Sequence, residues 1–411
     1  MHGIFGLAAF VALAWLMSEN RRAFPWRVVV SGIALQFALA LVMLKLPFVR
    51  HVFLWLSEAA AALLDSTQAG TRFVFGYLAG GPTPFEVTEP ANLFILAFQA
   101  LTLILPLGAI FAVLYHWRIL PLFVRGFAAV FRWVMGVSGP SGLAVAANII
   151  LGMVEAPLCI RPYLARMSRS ELFLVMTSGM ATIAGTMLVL YATILAPVIP
   201  QAMGQILTAS LISAPAAILM AAVAVPQGGE WTEGRQMEIE RRDNVMDAVV
   251  SGAMNGFTVL MHVAVLLLVF VALVDLADKV LSLLPAVGGA KLGVERIFGF
   301  VFRPVVWLMG VPWAEAGAGG ALMGTKVALN EFIAYVELAG LPEGALSEKS
   351  RIIMTYAMCG FANFGSVGII VGGMRALVPE RGAEVAQLGL KSLVTGVLAT
   401  CMTGCVVGLI L

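Results

Sequence analysis

Runs of about twenty apolar residues recur along this chain of 411 residues, and they constrain its fold more than any other feature. A helix of roughly 20 residues spans the hydrocarbon core of a bilayer. Backbone groups in lipid must be satisfied within a helix or a closed barrel, so runs of this length predict an all-α polytopic membrane protein. The sequence contains eight such segments: 2–18, 28–49, 93–115, 171–195, 203–225, 256–276, 352–373 and 389–411.

Composition and charge agree with this class. Hydrophobic residues make up 61% of the chain and charged residues 12%, against roughly 45 to 50% and 25% in soluble domains. The 25 basic and 23 acidic residues form no basic block or stripe, so no nucleic-acid partner is expected. Four cysteines in apolar surroundings, without paired spacing, predict buried thiols and neither a disulfide framework nor a metal cluster. They are Cys159, Cys359, Cys401 and Cys405.

Arginines set the expected orientation of the spans. Cytoplasmic loops carry an excess of Arg and Lys, and arginines follow each odd-numbered span. Both termini are therefore expected outside the cell. The arginines concerned are Arg21, Arg22 and Arg27 after the first span, Arg118 and Arg125 after the third, Arg235, Arg241 and Arg242 after the fifth, and Arg375 and Arg381 after the seventh.

Residues 141–160 and 314–336 each place a carboxylate inside an apolar segment. The first contains Asn148 and Glu155 and has arginines on both sides, so we expect it to enter and leave the membrane by the same face, as a re-entrant helical hairpin. Irregular backbone at such a turn requires surrounding protein or a water-filled cavity. The second contains Glu331. Because an ionisable group at membrane depth costs roughly 2.5 to 3.5 kcal/mol, both carboxylates are expected to face a ligand, water or a partner.

Three other segments do not have the pattern of simple crossings. Residues 119–135 carry Arg125 and Arg132 opposite an apolar face, the pattern of a helix that lies in the membrane interface. Residues 51–80 are expected to be peripheral. Residues 226–255 are expected to form a polar cytoplasmic linker followed by an amphipathic helix.

Elements of the first half of the chain recur in the second, in the same order. The number of spans between the two halves makes the repeat inverted, and inverted repeats with interrupted helices are typical of secondary transporters. Interruptions are expected at 179–185 and 360–368. The matched pairs are 131–137 with 305–311, Glu155 with Glu331, 178–183 with 359–364, and Thr182 with Asn363.

Several motifs make the chain resemble the concentrative nucleoside transporters over nearly its whole length. They are Ala146-Ala-Asn-Ile149, Gly152-Met-Val-Glu-Ala-Pro-Leu158, Arg161-Pro-Tyr163, Ala181-Thr-Ile-Ala-Gly185, Gly310-Val-Pro-Trp-Ala-Glu315, Leu329-Asn-Glu-Phe332 and Cys359-Gly-Phe-Ala-Asn363. The resemblance implies a multi-pass homotrimer in the bacterial inner membrane. Each protomer would move its own transport domain, elevator-fashion, against a scaffold and carry a nucleoside inward by symport with a cation.

This resemblance also implies a division of the chain. The scaffold would include most of the N-terminal helices and one later helix, and the transport domain would hold the two repeats. The expected units are 1–118 as N-terminal helices, 119–225 as the first repeat with hairpin 141–160, 226–255 as the linker, 256–276 as a scaffold helix, and 277–411 as the second repeat with hairpin 314–336.

The resemblance assigns the substrate site to residues of the hairpins and the broken spans. Glu331 matches a carboxylate that binds ribose hydroxyls, and Asn363 and Ser366 match the pair that also holds the sugar. Glu155 matches the carboxylate near the base, and Phe361 matches the aromatic residue beside it.

For the coupling cation, the resemblance implies a shell of oxygen ligands. The side chains of Asn148 and Thr182 match two ligands, and the carbonyls of Leu151 and Ile183 would complete the shell. Oxygen ligands of this kind favour Na⁺. Coupling to H⁺ stays open, and His262, in the middle of a span, is the histidine that could take part in it.

Met153 and Val154 depart from the family pattern. Members that recognise the base usually have Gln-Thr at these positions, so an amide and a hydroxyl are replaced here by a thioether and an isopropyl group. Gly365 replaces a common serine next to Ser366. Apolar walls discriminate weakly between ligands, so the sequence predicts altered base recognition with the sugar site intact.

A different class of function stays open from the residues themselves. Paired intramembrane carboxylates can perform general acid and base chemistry, which would make the chain a membrane-embedded enzyme. The repeat and the lack of a clustered nucleophile favour the transporter instead. Lys326 is expected near the mouth of the second hairpin and outside the site.

Overall fold

The computed structural model describes residues 2–88, 93–234, 243–286 and 291–411, and all regular elements in these ranges are helices. Arg235, Arg241 and Arg242, on which the predicted orientation partly depends, lie outside the described residues. The α-helices are α1 (His2–Leu16), α2 (Trp26–Lys45), α3 (Pro47–Phe75), α4 (Leu96–Gln99), α5 (Ile104–His116), α6 (Ile119–Met135), α7 (Gly139–Asn148), α8 (Glu155–Leu158), α9 (Arg161–Leu164), α10 (Arg169–Ala181), α11 (Gly185–Leu195), α12 (Ala202–Ala224), α13 (Val245–Leu281), α14 (Val294–Leu308), α15 (Ala316–Ala328), α16 (Glu331–Gly340), α17 (Glu348–Met358), α18 (Phe364–Leu377) and α19 (Gly382–Ile410).

Six helical segments of the described chain are long and apolar enough to cross a membrane, and each overlaps an expected span. The other two expected spans are realised differently. Span 2–18 is the 15-residue helix α1, and span 352–373 is divided between α17 and α18. The six segments are Trp26–Lys45, Leu96–His116, Arg169–Leu195, Ala202–Ala224, Val245–Leu281 and Pro379–Ile410.

Two segments expected outside the spans are largely helical. Most of residues 51–80, expected to be peripheral, belong to α3, a 29-residue helix that has Pro47 in its first turn and is followed by Gly76, whose φ is 59°. Proline is tolerated at the first turn of a helix, and a positive φ after a helix favours glycine. Of residues 226–255, expected to be a linker followed by an amphipathic helix, those from Val245 onward belong to α13, which begins where the Asn244 side chain accepts a hydrogen bond from the Asp247 N–H.

Helices α10, α12 and α19 form the buried centre of the molecule and pack against one another. They approach closely because their facing residues are small, and they carry hydroxyl pairs that bond across helices, as in other membrane helix bundles. Thr177 and Thr395 lie 3.0 Å apart between their hydroxyl oxygens. Ser213 and Thr403 lie 3.1 Å apart. Helix α13, by contrast, packs mainly on α5, where Gly252 approaches Gly108, and most of its apolar residues are not fully buried within the single chain.

Residues 119–135, expected to form a helix in the membrane interface, form the helix α6. Val124, Ala128 and Phe131 are buried, whereas Phe123 and Val130 are exposed. The buried stripe packs on α7, α2 and α5. The exposed aromatic and aliphatic side chains are therefore available to lipid.

Two helices are each followed by a glycine with a positive φ and pack on the next helix. Helix α6 is followed by Gly136 and packs on α7, and α14 is followed by Met309 and Gly310 and packs on α15. Two later pairs of consecutive helices, α10 with α11 and α17 with α18, are each separated by a short non-helical segment. The first interruption, residues 182–184, lies within the expected 179–185, whereas the second, residues 359–363, ends earlier than expected because 364–368 already belong to α18.

Candidate functional site

One cavity brings together the seven residues expected at the substrate site. Its volume is about 910 Å³, adjoining solvent included. It lies where the turn before α8, the start of α11, the turn between α15 and α16, and the start of α18 meet, and α13 contributes a further wall. The seven residues are Met153, Val154, Glu155, Glu331, Phe361, Asn363 and Ser366.

Glu331 is the first residue of α16, and both of its carboxylate oxygens accept hydrogen bonds. The Tyr191 hydroxyl donates to Oε1 at 2.6 Å, and the Asn363 amide donates to Oε2 at 3.1 Å. The side chain is 4% exposed. Because a carboxylate has about four acceptor sites, each oxygen can still accept a hydrogen bond from a ligand hydroxyl.

Two helices begin at this cavity with an asparagine cap. The Asn330 side chain accepts from the Ile333 N–H at 3.0 Å, and the Asn363 side chain accepts from the Ser366 N–H at 2.7 Å. Asparagine is among the best residues at this position because its oxygen satisfies an N–H that the helix leaves free. Asn363 therefore has a double role, since its oxygen caps α18 while its nitrogen holds Glu331.

The turn of the first hairpin is shaped by Gly152, whose φ is 101°. A Cβ at this position would lie 2.9 Å from the Ala184 Cβ, so the backbone conformation and the close approach both require glycine. The next two side chains differ in setting. Met153 is 8% exposed and lies against Gly179 of α10, whereas Val154 is 42% exposed. Val154 therefore forms the more accessible part of this apolar wall.

The residues expected to bind the cation lie beside the cavity, between α7 and the interruption after α10. Thr182 donates to the Ser178 carbonyl at 2.8 Å and approaches the Asn148 carbonyl at 3.3 Å. The Asn148 amide nitrogen donates to the Ser178 hydroxyl at 2.8 Å. Leu151 lines the cavity and Ile183 is completely buried.

The amide oxygen of Asn148 is buried and, within the described residues, has no hydrogen-bond partner. Buried acceptors are nearly always satisfied, so an unmet one needs an explanation such as a bound ion or water. The donor set fits a monovalent cation: an amide oxygen, a hydroxyl and unwound backbone. Within the described chain no three His, Cys, Asp or Glu residues are grouped as metal ligands.

Lys326 does not line the cavity, in agreement with its expected place outside the site, but it does not lie at an exposed mouth. Its side chain is completely buried, and Nζ donates to the Thr400 hydroxyl of α19 at 3.1 Å. The contact joins residues 74 positions apart, so local sequence around the hairpin carried no sign of it.

Several cavity residues were not expected from the sequence. Tyr191 is the most important because it holds Glu331. The sequence feature that could have indicated Tyr191 is a hydroxyl-bearing side chain within the apolar segment 171–195. Tyr191 follows Met187 by four residues and lies on the same helical face, and both residues line the cavity. Helix α13 supplies Val259, His262 and Phe270.

Family models match most of this chain. The "Na+ dependent nucleoside transporter" models for the N-terminus and the C-terminus match residues 5–78 and 205–408. A "Nucleoside recognition" gate model matches residues 97–198.

Curated relatives and solved structures agree with these models. "Nucleoside permease NupC" of Helicobacter pylori is 34% identical over 100% of this chain and 97% of its own length. Human "Sodium/nucleoside cotransporter 1" is 33% identical over 98% of this chain and 63% of its own length. A structure of CNTnw in an inward-facing substrate-bound state has a TM-score of 0.89 and 35% identity and covers 99% of this chain and 98% of its own.

Helical fold, buried polar site and relatives together define a multi-pass membrane transporter and not an enzyme. The chain belongs to the Na⁺-dependent, concentrative nucleoside transporter family.

Proposed function

We propose that this protein imports nucleosides by symport with Na⁺ and that the cavity is its substrate site. The observation that carries the proposal is the Glu331 carboxylate, held in place by Tyr191 and Asn363 in the cavity wall. Adjacent ribose hydroxyls are donors, and an ionised acceptor makes hydrogen bonds about twice as strong as a neutral one. The amide of Asn363 and the hydroxyl of Ser366 complete the sugar site.

The base then faces Glu155, Phe361, Met153 and Val154. Phe361 offers a ring face, Glu155 offers a carboxylate, and the two apolar side chains offer contact without hydrogen bonds. In the proposed site the sugar contributes most of the polar recognition, and the base is held more loosely by hairpin 141–160 than in relatives with Gln-Thr at these positions.

The coupling ion of the proposed mechanism is Na⁺ and lies at Asn148 and Thr182. The unmet Asn148 oxygen supports this assignment, and carbonyls of Leu151 and Ile183 are the further ligands. Leu151 is both a proposed ion ligand and a residue of the cavity wall. Ion binding would therefore fix the hairpin turn that carries Met153 and Val154.

The proposed mechanism is an elevator in a homotrimer of the bacterial inner membrane, with both termini outside. The transport domain comprises the two repeats, 119–225 and 277–411, whose re-entrant hairpins are inverted relative to each other. The scaffold comprises most of 1–118 and the helix containing 256–276. The repeated order of α6, α7 and α10 in α14, α15 and α17 supports the repeat, and the unburied apolar surface of α13 suits a helix that faces lipid or another protomer.

Uptake by proteoliposomes tests the proposal. The purified protein should accumulate labelled adenosine or uridine above the equilibrium level when an inward Na⁺ gradient is imposed, and it should not do so with choline in place of Na⁺. An imposed H⁺ gradient serves as the second arm. Accumulation driven by H⁺ alone would overturn Na⁺ coupling, and chemical conversion of the nucleoside without accumulation would support the membrane-embedded enzyme.

A further inference from the structure

His262 lies in the cavity wall on α13, which otherwise contributes apolar side chains. Val259, Val263 and Phe270 line the cavity from the same helix, at spacings of three, four and seven residues that place them along one face. An ionisable residue within a membrane span is expensive unless it meets a cavity or a partner. His262 meets this condition because it lies in the wall of the cavity.

The imidazole lies on a different element from the other polar groups of the site. Glu155 belongs to α8, Glu331 to α16 and Asn363 to the start of α18, whereas His262 belongs to α13. Besides Tyr191, Asn330, Glu331, Asn363 and Ser366, the polar side chains that line the cavity are Glu155, Thr186 and His262, of which Glu155 and His262 are ionisable. They approach the ligand from separate walls.

Bases differ in how many polar edges they offer. A purine has acceptor or donor groups on its Watson–Crick edge and also on the edge that contains N7. A pyrimidine ring has C–H groups, or a methyl group, at the corresponding second edge. Two polar side chains on separate walls therefore suit a purine better than a pyrimidine. A neutral imidazole carries one N–H donor, which can serve N7.

We propose that His262 is a specificity-determining residue that donates a hydrogen bond to N7 of the base and makes this transporter prefer purine nucleosides. The inference rests on the proposed function, since it requires the cavity to hold a nucleoside with its sugar at Glu331. It assigns to α13 the base recognition that the hairpin has lost at Met153 and Val154.

Removal of N7 from the ligand tests the contact directly. Binding of adenosine and of 7-deazaadenosine, in which C–H replaces N7, is measured by calorimetry on the purified full-length protein. The unmodified protein should bind 7-deazaadenosine about five to ten times more weakly, the worth of one hydrogen bond. His262→Leu should bind both compounds equally, at the weaker level. His262→Gln should keep part of the preference because its amide can donate.

The outcomes separate the inference from the proposed function. Equal binding of the two compounds by the unmodified protein, or an unchanged preference in His262→Leu, would overturn the role of His262 while leaving nucleoside transport standing. Retained binding of 7-deazaadenosine by His262→Leu shows that this variant is folded. If His262→Leu binds neither compound, His262→Gln decides, and a preference for adenosine over 7-deazaadenosine as large as that of the unmodified protein overturns the inference. Absence of any nucleoside binding by the unmodified protein would overturn both.

Discussion

At the scale of single residues, Glu331 is the group on which ligand binding most depends in the proposed site. Replacement of Glu331 by glutamine keeps the shape of the side chain and removes its charge. Ribose hydroxyls and the Tyr191 hydroxyl would then donate to a neutral amide in place of a carboxylate. Hydrogen bonds to charged groups are worth about 1.5 to 3 kcal/mol, so Glu331→Gln should weaken ribonucleoside binding by roughly 10- to 100-fold. Calorimetric titration measures this. Glu337→Gln, on the same helix and outside the cavity lining, is the matched control, and equal effects of the two variants would remove Glu331 from the site.

In the proposed site, Tyr191 acts on the ligand through Glu331. Removal of its hydroxyl leaves Oε1 with one donor fewer and frees the carboxylate to rotate. Tyr191→Phe should therefore weaken ribonucleoside binding about three- to tenfold, with a smaller effect on 2′,3′-dideoxynucleosides, because only the former need the oriented carboxylate. Tyr335→Phe is the control, since its hydroxyl donates to the Thr355 carbonyl and is equally buried. A uniform loss for both ligand types would contradict the positioning role.

In the proposed site, Met153 and Val154 form the part of the cavity wall that faces the base. Met153→Gln together with Val154→Thr should improve binding of uridine relative to adenosine by several-fold, because two hydrogen-bonding side chains return to an apolar wall. Val154→Thr alone should produce the larger share of this change, since Val154 is 42% exposed and Met153 is 8% exposed. Competition assays with both nucleosides give the ranking. An unchanged ranking in the double variant would mean that these side chains only pack.

At the scale of elements, the junction of α7 and α10 is where the proposed ion and substrate sites meet. Asn148→Leu removes the unmet oxygen and the bond to Ser178, so the Na⁺ concentration needed for half-maximal nucleoside binding should rise at least about tenfold. Thr177→Val is the control because the Thr177 hydroxyl, also on α10, forms a hydrogen bond with Thr395 and not with the residues of the proposed ion site. Nucleoside binding in Asn148→Leu with an unaltered Na⁺ requirement would place the ion elsewhere.

Elements also show what the sequence could and could not predict. The interruption near Thr182 and the irregular backbone near Gly152 were predictable because glycine, proline and polar residues stand out within apolar segments. The full lengths of α3 and α13 were missed, since polar residues within a long helix look like a loop when read for hydropathy alone. The bonds of Tyr191 to Glu331 and of Lys326 to Thr400 span 140 and 74 residues, and tertiary contacts of this kind leave no local pattern.

At the scale of the whole molecule, the proposed elevator requires the repeats to move against α13. The two parts approach each other at Phe270 and Gly365, where a Cβ on Gly365 would lie 3.2 Å from the Phe270 ring. Cysteines at both positions, in a background without the four buried native thiols, can be bridged by Hg²⁺. Bridging should stop Na⁺-driven uptake while nucleoside binding in detergent persists, and a thiol reagent should restore uptake.

The matched control lies within one moving part. Gly389 of α19 and Val371 of α18 are in contact, since a Cβ on Gly389 would lie 2.9 Å from a Val371 methyl carbon, and both belong to the second repeat. A bridge between cysteines at these positions should leave most of the uptake intact, because no relative motion crosses it. Continued transport with a bridge between positions 270 and 365 would mean that α13 moves together with the substrate site. The scaffold would then consist of helices within residues 1–118 only.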